Sequence, residues 1–286
     1  MMQDLRSILL FLLPWEFAPV MFAFCTGAVL LYILGLRRTS AAAKEPYGRV
    51  MAYLAGWALI YVALLTRFEY LSTHMFFLHT LQQMAVHHLG PFLVALAQPQ
   101  AVLLRALPKR FSEGPLRRLW RNHAIQVVYR TLQRPYIAPL LYVGLIFMWL
   151  APTPHFYAML SAWVYWLMNW SMLLDGLLFW FLMLDPRSRA QGALIGIGTR
   201  ILIIAAGMAP QMVLGAYIAF AERDLYSVYD ICGRAWEMSA RTDQNLGGLI
   251  VWIPVSLLEV VAMLVLLRWW IGNDQSSPRT VPKSPR

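Results

Sequence analysis

Of the six histidines in this chain, His74, His79, His87 and His88 fall in a single stretch that also holds Met75, Gln82, Gln83 and Met84. Imidazole and thioether together suit copper, whereas magnesium and calcium take oxygen ligands. On a regular helix turning about 100° per residue, Met75, His79, Gln82 and Gln83 share one face, with His87 at its margin and His88 almost opposite His79. A rise of about 1.5 Å per residue sets His87 about 12 Å beyond His79, so those two do not share one ion. Further ligands must come from other helices. The metal candidates are therefore His79 first, then His74, Met75, Gln83 and His87 on the same stretch, with His155 and Asp243 from elsewhere in the chain. The competing role for each histidine is an interhelical hydrogen bond worth about 1 kcal/mol.

The elements that must position these groups are membrane spans. Hydrophobic residues make up 59% of the chain and charged residues 13%, against about a quarter charged in soluble proteins. Apolar runs long enough to cross a hydrocarbon core about 30 Å thick occupy approximately 17–36, 50–66, 75–97, 136–152, 156–184, 200–220 and 246–270. They do not alternate as barrel strands would. The predicted class is all-α: a polytopic membrane protein of about seven transmembrane helices, with residues 1–272 as one helical domain.

Charge sets the expected orientation. The net charge is +10, and of 24 Lys and Arg residues only Arg6, Arg67, Arg223, Arg234 and Arg241 fall outside the alternate connections 37–49, 98–134, 185–200 and 268 onward. The positive-inside rule then places the N-terminus outside and the C-terminus in the cytoplasm. His74 and His79 open the third span at the outer level, where His155 and Asp243 also fall. Within the 98–134 loop, Leu116, Leu119, Trp120, Ala124, Val127 and Val128 recur at helical spacing opposite Arg117, Arg118, Arg121 and Arg130. This reads as a basic amphipathic helix lying on anionic lipid at the cytoplasmic face, and not as a nucleic-acid surface. His123 on it is a surface residue. The segment Ile8 to Leu13 reads as an uncleaved interfacial lead-in, and 273–286 as a disordered cytoplasmic tail.

Asp175 and Glu259 lie at membrane depth, where ionisable groups are costly; a structural pairing, for instance with His87 or His88, is favoured over a proton relay. Cys25 and Cys232 are too far apart in sequence for a Cys-x-x-Cys site and read as packing residues. No Walker loop, G-x-S-x-G elbow or H-E-x-x-H motif is present, so no enzymatic activity is expected.

The stretch from His79 to Pro99, with Gln82, Met84, Gly90-Pro91, Leu93 and Gln98-Pro99, resembles the H-M-x-Q-H-M motif and following proline-containing run of the CtaG family of cytochrome c oxidase assembly factors. Two further stretches are similar to that family: Gly176 to Trp180 leading to Leu184-Asp185-Pro186, and Asp243 to Gly248 leading to Trp252. Thr80 and Gln83 depart from the motif's Met and second His, which implies a shifted ligand set. The resemblance implies a plasma-membrane protein of seven helices that acts with cytochrome c oxidase subunits and helps copper reach the enzyme. The other functions weighed are a haem-binding redox protein, with histidines as axial ligands, and a small-solute transporter.

Overall fold

A computed structural model describes residues 10–14, 18–39, 45–108, 110, 114–187 and 191–275. The first two residues of the lead-in (8 and 9) and the tail beyond 275 lie outside the described residues. Every regular element among those described is helical. In order they are α1 (Pro19–Arg37), α2 (Tyr47–Leu65), α3 (Arg67–Ser72), α4 (Phe76–Gln83), a π-helical turn (Met84–Leu89), α5 (Gly90–Leu96), α6 (Gln100–Ala106), α7 (Pro115–Trp120), α8 (His123–Leu132), α9 (Ile137–Leu150), α10 (Pro152–Leu160), α11 (Ala162–Met183), α12 (Ile197–Phe220), α13 (Val228–Cys232) and α14 (Ala240–Gln275).

Five helices, α1, α2, α11, α12 and α14, are long and apolar enough to cross a membrane alone. Counting each of two bent pairs as one span brings the number to as many as seven among the described residues: Phe76–Leu96 with Gln100–Ala106, bent by 77°, and Ile137–Leu150 with Pro152–Leu160, bent by 72°. The chain is a multi-pass helical membrane protein.

Three sequence expectations are corrected by this arrangement. The fifth span begins at Ala162, not 156, because the chain is extended at Ser161 (φ −123°, ψ 113°). His155 therefore sits on its own short helix, α10, which starts where Ala151 is extended and Pro152 and Pro154 suit a first turn. The basic amphipathic helix is broken in two at Asn122, whose side chain accepts from the Ala124 amide (3.0 Å) and caps α8. Its apolar residues Leu119, Trp120, Val127 and Val128 are exposed. Finally, α14 continues through Gln275, so 273–275 are helical rather than tail.

A fourth correction matters most for the site. Pro91 has no N–H to return to the carbonyl of His87, four residues earlier. The helix widens instead, and the Gly90 amide bonds the carbonyl of Ala85, five residues back. One extra residue in the turn takes back about 100° of rotation. His88, opposite His79 on a regular helix, is thereby swung onto the wall of the same cavity as His79.

Tight packing is concentrated around this widened turn and at α14. A Cβ on Gly176 of α11 would stand 2.4 Å from the His87 carbonyl oxygen, and one on Gly90 would stand 2.7 Å from Ile60 of α2. On α14, a Cβ on Gly248 would stand 2.3 Å from the backbone of Ala219 on α12, and one on Gly247 would stand 2.3 Å from the Phe76 ring. Small residues let helix backbones approach in lipid, where no hydrophobic force drives helices together.

Candidate functional site

The helix carrying the histidines is pinned at its start by a residue from the far end of the chain. The first amides of α4 have no partner within the helix, and Met75 caps it without a side-chain bond. Asp243 of α14 fills that role: Oδ2 accepts from the Phe76 amide (3.0 Å) and Oδ1 from the Phe77 amide (2.9 Å). Arg234 Nε stands 3.4 Å from the same carboxylate, which is wholly buried. Next to it, Gln244 accepts from the Leu225 amide (2.8 Å) and donates to the Ile218 carbonyl (3.2 Å). Thus Asp243, a metal candidate by sequence, has both oxygens engaged in anchoring α4.

One turn further along, His79 meets His155. Their rings are 4.9 Å apart and nearly perpendicular, at 85°. His155 is fully held: Nδ1 donates to the Trp149 carbonyl (3.1 Å), which leaves Nε2 to accept from the Tyr229 hydroxyl (3.0 Å). His79 is held differently, for its Nδ1 is buried with no hydrogen-bond partner. His74 does not join this pair. Its ring packs on Tyr70, with Nδ1 2.7 Å from the Tyr70 carbonyl oxygen and 3.0 Å from Thr73 Oγ1, and it lines a separate cavity of about 380 Å³ with Met159, Tyr165 and Cys232. Met75 is buried at the cap of α4.

Beyond His79 lies an internal cavity of about 30 Å³, bounded by His79, Thr80, Gln83, Met84, His88 and Met172 together with apolar groups of α9 and α14. Gln83 donates through Nε2 to Asn169 Oδ1 (3.0 Å), while its Oε1 is buried without a partner.

On the far side of the cavity the remaining titratable groups close a chain. His88 Nδ1 is 2.6 Å from the Tyr142 hydroxyl, His88 Nε2 is 3.4 Å from His87 Nδ1, and His87 Nε2 is 3.2 Å from Asp175 Oδ2. One tautomer set satisfies every atom: Tyr142 donates to His88, His88 to His87 and His87 to Asp175. Stacking of Tyr142 on Phe179 (3.8 Å) and on the His87 ring (4.3 Å) holds the chain in place. His87 is therefore paired with Asp175, while Glu259 accepts from Gln211 (2.8 Å) and touches neither histidine by hydrogen bond. Among the described residues, no three or more His, Cys, Asp or Glu side chains converge to hold a metal.

Sequence reading missed Tyr142, Asn169 and Gln211, because only ionisable groups were counted at membrane depth. A polar side chain inside an apolar span is also an interhelical bonding group, and that signal was present in the sequence. Met84 and Met172 carry no such signal, since methionine is ordinary in a span.

The three motif stretches meet in this region. Gly176, Phe179 and Trp180 wall the His87 side, and Asp243 to Gly248 seat α4. At the end of α11, Asp185 accepts from the Arg187 backbone (3.0 Å) and guanidinium (2.8 Å). Burial raises the Asp185 carboxyl, but these bonds outweigh it and hold the group below its ordinary range.

A multi-pass helical membrane protein with a histidine-rich interior, into which these three stretches pack, is the class the fold and site define. The chain belongs to the cytochrome c oxidase caa3 assembly factor family (Caa3_CtaG), whose model matches residues 30–273. It is also 25% identical, over 281 residues and 94% of its length, to an uncharacterised protein of Mycobacterium leprae (strain TN). The chain spans about two fifths (41%) of the length of that relative. No solved structure matches.

Proposed function

We propose that this protein assists the maturation of haem–copper cytochrome c oxidase without catalysing a reaction, by taking up copper at the outer face of the plasma membrane and passing it toward an oxidase subunit. Membership in the assembly-factor family supports the oxidase. The observation that carries the copper reading is His79, a buried imidazole with an unpartnered Nδ1 beside a second buried imidazole, His155. His79 is the primary ligand, with His155 next to it and His74 in a separate cavity. His87, Gln83, Met75 and Asp243 support the helix that presents it.

Changing His79 and His155 together to alanine is expected to lower oxidase maturation in copper-limited medium to about a tenth or less of wild type, with protein remaining in the membrane by immunoblot. Excess copper is expected to restore part of the activity, which a merely unfolded variant does not allow. Wild-type maturation in the double variant, or normal oxidase copper in a deletion strain, removes the copper reading. A Soret band in the purified protein favours the haem alternative instead.

The orientation rests on the one-sided distribution of basic residues. Cys232, a partly buried free thiol on α13, is expected to react with a membrane-impermeant thiol reagent from outside; Cys25 is buried in α1. Burial raises the Cys232 thiol above its ordinary value, so the thiolate is scarce at neutral pH and labelling is faster in alkaline buffer. Labelling only after the inner face is opened reverses the topology.

A further inference from the structure

We propose that the 30 Å³ cavity beyond His79 is a resting site for one soft monovalent cation, Cu(I), held by His79 Nδ1, the thioethers of Met84 and Met172, and Gln83 Oε1. This deepens the copper reading above and rests on it, but it uses two thioethers outside the metal candidates named from the sequence. Four observations converge on the cavity. Its size admits one ion or one water-sized body. Two polar atoms of its lining residues, His79 Nδ1 and Gln83 Oε1, are buried without partners, although leaving such an atom unsatisfied costs about 1–3 kcal/mol. Two thioethers reach the same walls. The rest of the lining is Thr80 and His88, whose polar atoms are engaged elsewhere, and hydrocarbon and indole from Ile146, Trp149, Leu150, Val251 and Val255.

The donor chemistry selects the ion. Magnesium and calcium need several oxygens and keep waters, for which a pocket of this size and wall has no room. Thioether and imidazole select Cu(I) among metals available to a cell, and a monovalent ion carries less charge into a low-dielectric wall than a divalent one. The π turn completes the enclosure, because it swings His88 onto the wall that His79, Gln83 and Met84 share on α4 and its end. His88 lines the cavity too, but both its nitrogens are engaged by Tyr142 and His87; its role is to close the floor.

The test uses the purified full-length protein in detergent under anaerobic conditions, titrated with Cu(I) against a chromophoric Cu(I) chelator. Wild type is expected to take up one equivalent, with sulfur scattering at the copper K-edge. Met84→Leu combined with Met172→Leu conserves volume, so folding is expected to change little, and a thermal melt checks this. Because loss of an outer-shell partner already costs about 10–100-fold in metal affinity, loss of both thioethers is expected to cost at least about tenfold and to abolish the sulfur signal. Met51→Leu, at an exposed position on α2, is the control and is expected to change nothing.

Binding that survives the double methionine change but is lost with His155→Ala overturns this site and leaves copper handling at the outer pair intact. Absence of any Cu(I) uptake by the wild type overturns the site as well. The copper reading itself is judged separately, by the copper content of oxidase in a deletion strain.

Discussion

Asp243→Ala is expected to destabilise the protein by about 3 kcal/mol, an effect of the size seen when one partner of a buried charge pair is removed. Two amides lose their acceptor and one cation loses a buried carboxylate. The amides of Phe76 and Phe77 are left inside the protein with no water to take them, and the Arg234 guanidinium, whose side chain is 11% exposed, keeps Asp230 but loses its buried carboxylate. A helix cap alone is worth about 1 kcal/mol, so the ion pair supplies much of the rest. Asp243→Asn retains one oxygen to accept from an amide and is expected to fall between wild type and alanine. The measurement is the thermal unfolding of each variant in detergent. If Asp243 were instead a metal ligand, the alanine variant would melt like wild type and lose copper per folded molecule. That pattern excludes the anchoring role.

The Asp243 case shows what could be read from sequence and what could not. Its level in the membrane followed from counting spans, and α14 does bring it to the start of α4. Its role did not follow, because the unpaired amides of α4 are backbone groups that every sequence possesses and none advertises. The spans themselves were legible, since a hydrocarbon solvent demands long apolar runs. The bends were only partly so. Pro152 and Pro154 mark the turn into α10, but nothing as plain marks the break at Ser161 that separates His155 from the fifth span. The π turn had a cue in Pro91, and a regular 100° count ignored it. That error placed His88 opposite His79, when one additional residue in the turn puts both on one cavity. The site's methionines were hidden for a different reason: in a chain with 15 of them, only packing distinguishes a donor from a space-filler.

Gly176→Leu is expected to cost about 3 kcal/mol, at the upper end of overpacking effects, and to break the His87–Asp175 contact. The added Cβ would stand 2.4 Å from the His87 carbonyl oxygen and 3.1 Å from the His87 Cα. These are backbone atoms in a turn already widened to accommodate Pro91, so no rotamer change relieves the clash and α11 must retreat. Asp175 is the residue before Gly176 and reaches the His87 ring across 3.2 Å. Retreat of the helix by even a fraction of an ångström lengthens that bond past useful range, which frees His87 Nε2 and unseats the chain through His88 to Tyr142. The informative comparison is Gly144→Ala on α9, where a Cβ meets nothing within 4 Å. There the change removes a flexible residue from a helix interior and is expected to stabilise by up to about 1 kcal/mol. Unfolding of both variants in the same detergent gives opposite signs if close backbone approach is what Gly176 provides. Equal shifts at the two positions would mean that helix propensity alone was being measured, and that α11 does not depend on this contact to hold Asp175 against the histidines.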